Sequence, residues 1–304
     1  MHYDIIGDIH GHADALEKLL QKLGYKLSNG IYRHPEKRNV IFLGDYIDRG
    51  PKIRETLHIV KNMCDAGNAE AIMGNHEFNA VCFATPNKIE GGYYRKHTFT
   101  EINQHFETLK QFKDFKDEWD NLFIPWFKEL PLFIEKEDFR AVHACWDNKH
   151  IDWLKQHYKG KLTAGFLAKT INDNMSEYHV IEETLKGKEE KLSNGHSFFD
   201  KDGVERSECR IIWWQPIENR KNYIDILMCC PTKLENRPIE LDECYSYKSD
   251  KPVFFGHYWL KGTPKIINRK AICLDYSVAK KGKLVAFKSE YLTNKEPIEK
   301  GFDY

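Results

Sequence analysis

Asn39-Val40-Ile41-Phe42-Leu43-Gly44-Asp45-Tyr46-Ile47-Asp48-Arg49-Gly50-Pro51 is the stretch that decides the fold. An apolar run stops at a glycine; two carboxylates and an arginine follow, and a proline then opens a helical pattern. A buried strand handing polar groups to a loop is how open α/β sheets place ligands. The layout recurs on both sides. Tyr3 to Ile6 stops at Gly7-Asp8-Ile9-His10-Gly11, and Ala69 to Met73 stops at Gly74-Asn75-His76-Glu77. Further on, Phe139 to Val142 delivers His143, Pro252 to Phe255 ends at Gly256-His257, and a late Leu274-Asp275 follows.

Between these strands lie helical patterns. Ala13 to Leu23 carries Leu16, Leu19, Leu20 and Leu23 at helical spacing. Pro51 is predicted to open the next helix, with Ile53, Leu57, Val60 and Cys64 on one face. Tyr93 to Leu130 is helical and rich in aromatics, which predicts a packed helical insert. Leu132 to Ile134 reads as a strand, and Ala271 to Leu274 with Leu284 to Phe287 as a closing hairpin. The stretch between His143 and His257 is too long for a simple connection. The expectation is therefore an α/β chain with one domain over residues 1–304. Inserts at about 93–130 and 150–215 would form a cap or subdomain beside the site, where substrate selection is built.

Composition narrows the function. Lys+Arg and Asp+Glu both number 46 in 304 residues, so the net charge is zero. No global field draws the chain to polyanions or membranes, and strong general nucleic-acid binding is not expected. No continuous apolar stretch is long enough to span a bilayer, and no basic segment leads into an apolar one at the start. Eight Cys are scattered without a C-x-x-C pair, and Cys229-Cys230 are adjacent. Reduced thiols and a cytoplasmic location are the expectation.

Asp8, His10, Asp45, Asn75, His143 and His257 together offer the oxygen and nitrogen ligands that two adjacent divalent metals need. Hydrolysis at phosphorus requires a nucleophile, neutralised phosphoryl oxygens and a protonated leaving group. Two metals about 3.5–4 Å apart supply the first two. Taken singly, each motif is ordinary: Gly-Asp after a strand is a turn, and a lone His is a hydrogen-bonded core residue. His12, His34 and His97 are read that way. The full set in fixed order at strand ends is not explained by chance.

These motifs resemble those of the calcineurin-like metallophosphoesterase superfamily, in particular the bacterial type of its phosphoprotein phosphatase branch. The resemblance implies a β-sandwich of two mixed sheets flanked by helices. It implies that Asp8 and His10 bind a first metal, that Asp45 bridges, and that Asn75, His143 and His257 bind a second. His76 would be the general acid, paired with Asp48; Arg49 would grip phosphate, with Asn75 and His76 also facing substrate. Mn²⁺ is expected by resemblance, and the mixed donors also permit Fe, Zn²⁺, Co²⁺ or Ni²⁺. The implied reaction is direct attack by a metal-bridging hydroxide, without a phosphoenzyme.

The departures matter too. His143-Ala144-Cys145 replaces the usual glycine-containing motif, and Cys145 is read as a buried structural thiol. Asp275-Tyr276-Ser277 and Lys281-Gly282 depart from the usual last loop, so Asp275 is given no catalytic role. Gln215 stands where a further phosphate-binding arginine is sought; Arg206, Arg210 and Arg220 are the neighbouring candidates. The leading expectation is a phosphate monoesterase resembling serine/threonine protein phosphatases. The alternatives are a dinucleoside polyphosphate (diadenosine tetraphosphate) hydrolase or RNA-end phosphatase, and a non-catalytic metal-binding scaffold. The second draws on the amino-terminal third, including His34-Pro35-Glu36-Lys37-Arg38. Tyr93, Tyr94, Trp153, Tyr158, Phe198, Phe199, Trp213 and Trp214 could stack an adenine, but a core role suits them better.

Overall fold

A computed structural model describes residues 2–192, 196–199, 205–215, 221–228, 238, 246–293 and 298–304. Arg220 and Cys229-Cys230 lie outside the described residues.

Short, β-branched and aromatic runs build two mixed sheets. One has the order Phe302–Asp303, Ala286–Lys288, Tyr3–Ile6, Asn39–Phe42, Ala69–Ala71. Its last three strands are parallel, and Ala286–Lys288 runs antiparallel to Tyr3–Ile6. The other has the order Ala271–Cys273, Val253–Phe255, Arg140–Val142, Phe133–Glu135, with only the last strand antiparallel to its neighbour. Alternation along the strands decides what each face meets. Ile5, Ile41 and Phe287 from the first sheet and Ala141, Phe254 and Ile272 from the second share one buried cluster, which is the inside of a sandwich. Fully burying each of the large ones contributes about 1.5–3 kcal/mol. Ile6, Val40 and Phe42 point the other way, onto Leu16 and Leu20 of the helix Ala13–Lys22 and Leu57 and Val60 of the helix Ile53–Asp65. The expected two-sheet sandwich with flanking helices is therefore the architecture.

Asp4 breaks the apolar pattern on that helix-facing side and is fully buried. Arg38 meets it with a two-pronged grip at 3.0 and 2.6 Å, and the Tyr25 hydroxyl donates to it at 2.9 Å. A buried carboxylate persists only when paired and hydrogen-bonded in this way.

Three expectations need correction. Ala271–Cys273 and Ala286–Lys288 do not form a hairpin: they lie in different sheets. The small hairpin between them pairs Asp275–Tyr276 with Lys283–Leu284, and this is where the chain crosses from one sheet to the other. Pro51 does not open the second helix, which begins at Ile53. The Lys52 N–H is already committed to the Gly11 carbonyl (2.9 Å), and that bond holds the first two motif loops together. The 93–130 insert is helical as expected but only partly packed. Phe112, Trp119, Phe123 and Phe127 are buried, whereas Phe99, Phe106 and Phe115 are exposed. By contrast Trp213 and Trp214 are core residues, as expected, but Tyr93 and Phe199, given the same reading, are exposed. Among the described residues, no helix is long and apolar enough to cross a membrane.

Candidate metal centre

The strands Tyr3–Ile6, Asn39–Phe42, Arg140–Val142 and Val253–Phe255, with the loop after Ala69–Ala71, deliver their polar motifs to one place. His10, Asp45, Asp48, Arg49, His257 and Trp259 all have φ between 46° and 71°. Left-handed backbone is uncommon for such residues, and it clusters where a site has to aim side chains that regular strands cannot. Close approach fixes two glycines. A Cβ on Gly74 would lie 2.3 Å from both the backbone N and Oδ1 of Asp45, and one on Gly256 would lie 1.9 Å from Asp8 Oδ1.

Asp45 is central and buried. Its Oδ1 lies 3.4 Å from His143 Nε2, while its Oδ2 lies 3.5 Å from His10 Nε2 and 3.9 Å from His76 Nε2. Two triads meet at it: His10, Asp45 and His76 on one side, and Asp45, His143 and His257 on the other. Asn75 Oδ1 completes the second side, 3.0 Å from His143 Nε2 and 2.9 Å from His257 Nδ1. Asp8 stands slightly apart. Its carboxylate accepts the backbone N–H of His257 at 3.0 and 3.2 Å, tying the first strand's loop to the fifth motif.

The donor set suits cations. His10 Nδ1 faces the Ile47 carbonyl at 2.9 Å, and His143 Nδ1 faces the Leu43 carbonyl at 2.7 Å. A carbonyl only accepts, so each Nδ1 carries a hydrogen and each Nε2 is the nitrogen that faces inward. His10 Nε2 and His257 Nε2 are buried without a hydrogen-bond partner. Burial takes His10 down to about 3, helped by the nearby charges of His76 and Arg49 and opposed by Asp45, which leaves a lone pair on its Nε2. Burial disfavours a charged His143, yet the Asp45 carboxylate overrides it and pulls the imidazole up to about 10, so a cation here would displace the proton of its Nε2. Burial, together with the charge of Asp275, pushes the Asp8 carboxyl well above the usual range. A dry cluster of inward-facing imidazole nitrogens and carboxylates is what a pair of divalent cations would suit.

Beside this cluster His76 and Asp48 form the expected pair. His76 Nδ1 donates to Asp48 Oδ2 at 2.5 Å. Asp48 Oδ1 also accepts from His105 Nδ1 (2.8 Å) and from the Thr108 hydroxyl (2.6 Å). Burial acts to raise the Asp48 carboxyl, but His105 and His76 outweigh it and hold it well below the usual range. Burial acts to lower His76, and the carboxylates of Asp45 and Asp48 reverse that, holding it above the ordinary 6.5. The result is a protonated imidazole aimed at the cluster, suited to giving up a proton to a leaving group. Arg49 is exposed and stacks on the Trp259 indole, 4.4 Å from its centre.

Some working residues are not visible as motifs. His105 and Thr108 come from the helical insert and reach Asp48 across about sixty residues of chain. Nothing local marks them. Glu77 was in plain view three residues after Gly74, a helix-start spacing that could have revealed it. Its carboxylate accepts four backbone N–H groups: Asp45 (2.8 Å), Tyr46 (2.8 Å), Ile47 (3.3 Å) and Gly74 (3.0 Å). It is the clasp between the second and third motif loops. Asp275 has a similar positioning role: it accepts the N–H groups of Trp259 (2.6 Å) and Ser277 (2.9 Å). Cys145 is buried, and burial pushes its thiol well up, as a structural thiol should be. Of the candidate arginines, Arg210 lies near enough for its charge to bear on His257, and it also pairs with Glu189 at 3.5 Å. Arg206 is exposed on the strand Glu205–Arg206. A further acidic cluster, Asp147 with Glu183 and His150, is not a rival cation site. The Lys188 ammonium already occupies it, 2.9 Å from Asp147 and 2.6 Å from Glu183.

The sequence profile of calcineurin-like phosphoesterases matches residues 1–257. The chain belongs to the calcineurin-like phosphoesterase family. A protein of Oceanobacillus iheyensis, described as an asymmetrical bis(5'-nucleosyl)-tetraphosphatase, is 32% identical over 144 residues, covering 47% of this chain and 55% of that one. A Bacillus velezensis protein of the same description is 45% identical over 146 residues, covering 47% and 56%. The chain thus spans about half the length of the curated relatives it matches. In three dimensions it is similar to a cold-active protein-tyrosine phosphatase of Shewanella. That match has a TM-score of 0.52 and 15% identity, and covers 94% of this chain and 74% of the other. A serine/threonine phosphatase of Saccharomyces cerevisiae matches with a TM-score of 0.50 and 14% identity, covering 100% and 76%. At these identities the structural likeness speaks for the fold alone.

Proposed function

We propose that the protein is a two-metal hydrolase of dinucleoside polyphosphates, cleaving a phosphoanhydride bond. The observation that carries the reading is the position of Asp45, whose two carboxylate oxygens face two separate donor groups. Asp8, His10 and Asp45 would hold one divalent cation, and Asp45, Asn75, His143 and His257 the other. Mn²⁺ is our first candidate. When bound, such a pair supplies Lewis acidity and an activated water for in-line attack.

The chain's own groups do the rest. Arg49 presents a forked, permanently charged donor to phosphate oxygens. His76, its Nδ1–H held by Asp48, gives its Nε2 proton to the departing phosphate oxygen. The insert over residues 93–130 serves as a wall of the site, since His105 and Thr108 fix Asp48 from above.

The resemblance of the motifs to the phosphoprotein phosphatase branch pointed first to a phosphate monoesterase resembling serine/threonine phosphatases. The named relatives instead support the alternative, dinucleoside tetraphosphate hydrolysis. A substrate panel on Mn²⁺-loaded protein tests the choice: diadenosine tetraphosphate, an aryl monoester, a phosphopeptide and an aryl diester. The proposal expects diadenosine tetraphosphate to give the highest kcat/KM, by at least tenfold. A phosphopeptide preferred over it would return the reading to a protein phosphatase. No hydrolysis of any of the four, with metal bound, would leave only a scaffold.

A further inference from the structure

The side of the site served by the acid, where a leaving group would depart, is shaped. A narrow cleft opens beside the acid pair, lined by Asp48, His76, Asn79, Phe83, Gln104 and His105 among others. Three of these belong to the helix Asn75–Ala84, where positions 76, 79 and 83 fall on one face. The acid and two further side chains therefore border the same space from one rigid element.

The cleft holds polar groups with unused capacity. His105 is only 6% exposed. Its Nδ1 is committed to Asp48 Oδ1 (2.8 Å), while its Nε2 is buried without a hydrogen-bond partner. A buried polar nitrogen left unmet is costly until something supplies the bond. The half-buried Asn79 side chain has no hydrogen-bond partner among the described residues. Gln104 uses its Oε1 for Arg95 (2.8 Å), which leaves its amide N–H groups open. Arg95 is also paired with Glu101, so that end of the cleft is polar rather than cationic. It suits a neutral hydrogen-bonding group better than another phosphate.

Phe83 gives the cleft an aromatic wall. The His97 ring lies nearly parallel to it, with centroids 3.7 Å apart, and the Tyr93 ring lies nearly parallel to His97 at 4.1 Å. The loop that carries them is tied to the end of the same helix. His97 Nε2 faces the Phe83 carbonyl at 2.8 Å, the Tyr94 N–H donates to the Thr85 carbonyl (3.0 Å), and the Arg95 N–H donates to the Cys82 carbonyl (3.1 Å). The stack holds the Phe83 ring in place beside the amides.

We propose that this cleft receives the base of the departing nucleotide, packed on Phe83 and hydrogen-bonded by Asn79, Gln104 and His105. Aromatic rings stack any base, and amide side chains match the N6/N7 edge of adenine with two bonds at once, so adenine is the favoured occupant. This rests on the dinucleoside polyphosphate reading above and adds the groups that would recognise the nucleoside. His76 serves the leaving oxygen, and the cleft beside it serves the base carried beyond that oxygen.

Binding tests this without turnover. The full chain, with Mn²⁺ matched in cell and syringe, is titrated calorimetrically with α,β-methylene adenosine diphosphate and with methylenediphosphonate. The two share a P–C–P link that hydrolysis cannot break and differ by the nucleoside. Wild type should bind the nucleotide about tenfold more tightly or better. Asn79→Ala should remove most of that preference and leave the affinity for methylenediphosphonate within about twofold, which also shows that the variant is folded with its metal centre intact. Phe83→Leu should do the same, and Phe83→Tyr should keep the preference. Equal affinities in wild type, or an Asn79→Ala variant that weakens both ligands alike, overturns the base site. If the preference holds and depends on Asn79 and Phe83 but diadenosine tetraphosphate is not cleaved, the base site stands and the functional reading falls. If diadenosine tetraphosphate is cleaved and the preference is absent, the functional reading stands and the base site falls.

Discussion

Glu77→Gln is a small change on paper and should be a large one in this protein. The Glu77 carboxylate accepts four backbone N–H groups, Gly74 and Asp45 on Oε2 and Tyr46 and Ile47 on Oε1. Gln keeps the shape but has one acceptor oxygen, so whichever way it turns, two N–H groups face an NH₂. The residue is fully buried, so water cannot replace the lost acceptor. A buried donor left unmet costs about 1–3 kcal/mol. Two such losses give a destabilisation of roughly 4 kcal/mol. At roughly 2 °C per kcal/mol for a chain of this size, Tm should fall by about 8 °C. Glu77→Ala removes both acceptor oxygens, leaves all four N–H groups unmet and should cost more. Differential scanning fluorimetry on the two variants measures it. A Gln variant within about 1 °C of wild type would refute the reasoning, because it would mean that the carboxylate's second oxygen holds nothing that matters.

Other outcomes follow from the same geometry. Because Asp45 and Asp48 outweigh burial and hold His76 above 6.5, its acidic form persists into the neutral range. kcat on a poor leaving group should therefore decline only above that pH, and Asp48→Asn should move the decline downward; an unmoved pH profile would detach Asp48 from the acid. Asp147 caps the helix Asn148–Tyr158 and pairs with Lys188 at 2.9 Å. Burial acts to raise its carboxyl, but Lys188 holds it below the ordinary 3.8, so its ionised form stabilises the fold above that pH and the benefit is lost on acidification. Asp147→Ala should cost about 1–2 kcal/mol near neutrality and less below pH 3–4, as read by urea unfolding at both pH values. Burial pushes the Cys82 thiol up to about 12 and Cys145 well up, so neither should be alkylated at pH 8 before unfolding, which peptide mass spectrometry can check.

The first sheet, the two early helices and the five strand-end motifs were legible because a buried strand and an amphipathic helix leave a period in the sequence. Ile5 and Ile41 show it directly, alternating with residues that face the helices. What could not be read was anything created by long-range closure. Ala271–Cys273 and Ala286–Lys288 look like hairpin partners because they are apolar and close in sequence, yet they belong to different sheets. Asp48 was identifiable as a partner of His76, but His105 and Thr108 arrive from an insert whose sequence carries only a helical pattern. Nothing in its local sequence marks Trp259. Its left-handed backbone and its stack with Arg49 appear only once Asp275 has folded across from the far loop.

Metal occupancy tests the central claim most directly. Crystals grown with Mn²⁺ and measured at its absorption edge should show two anomalous peaks about 3.5–4 Å apart, one on each side of the Asp45 carboxylate, with His10 on one flank and His143 and His257 on the other. Asp45→Asn should lose at least one of them. A single peak in the wild-type protein, or two peaks that do not share Asp45, would contradict the account.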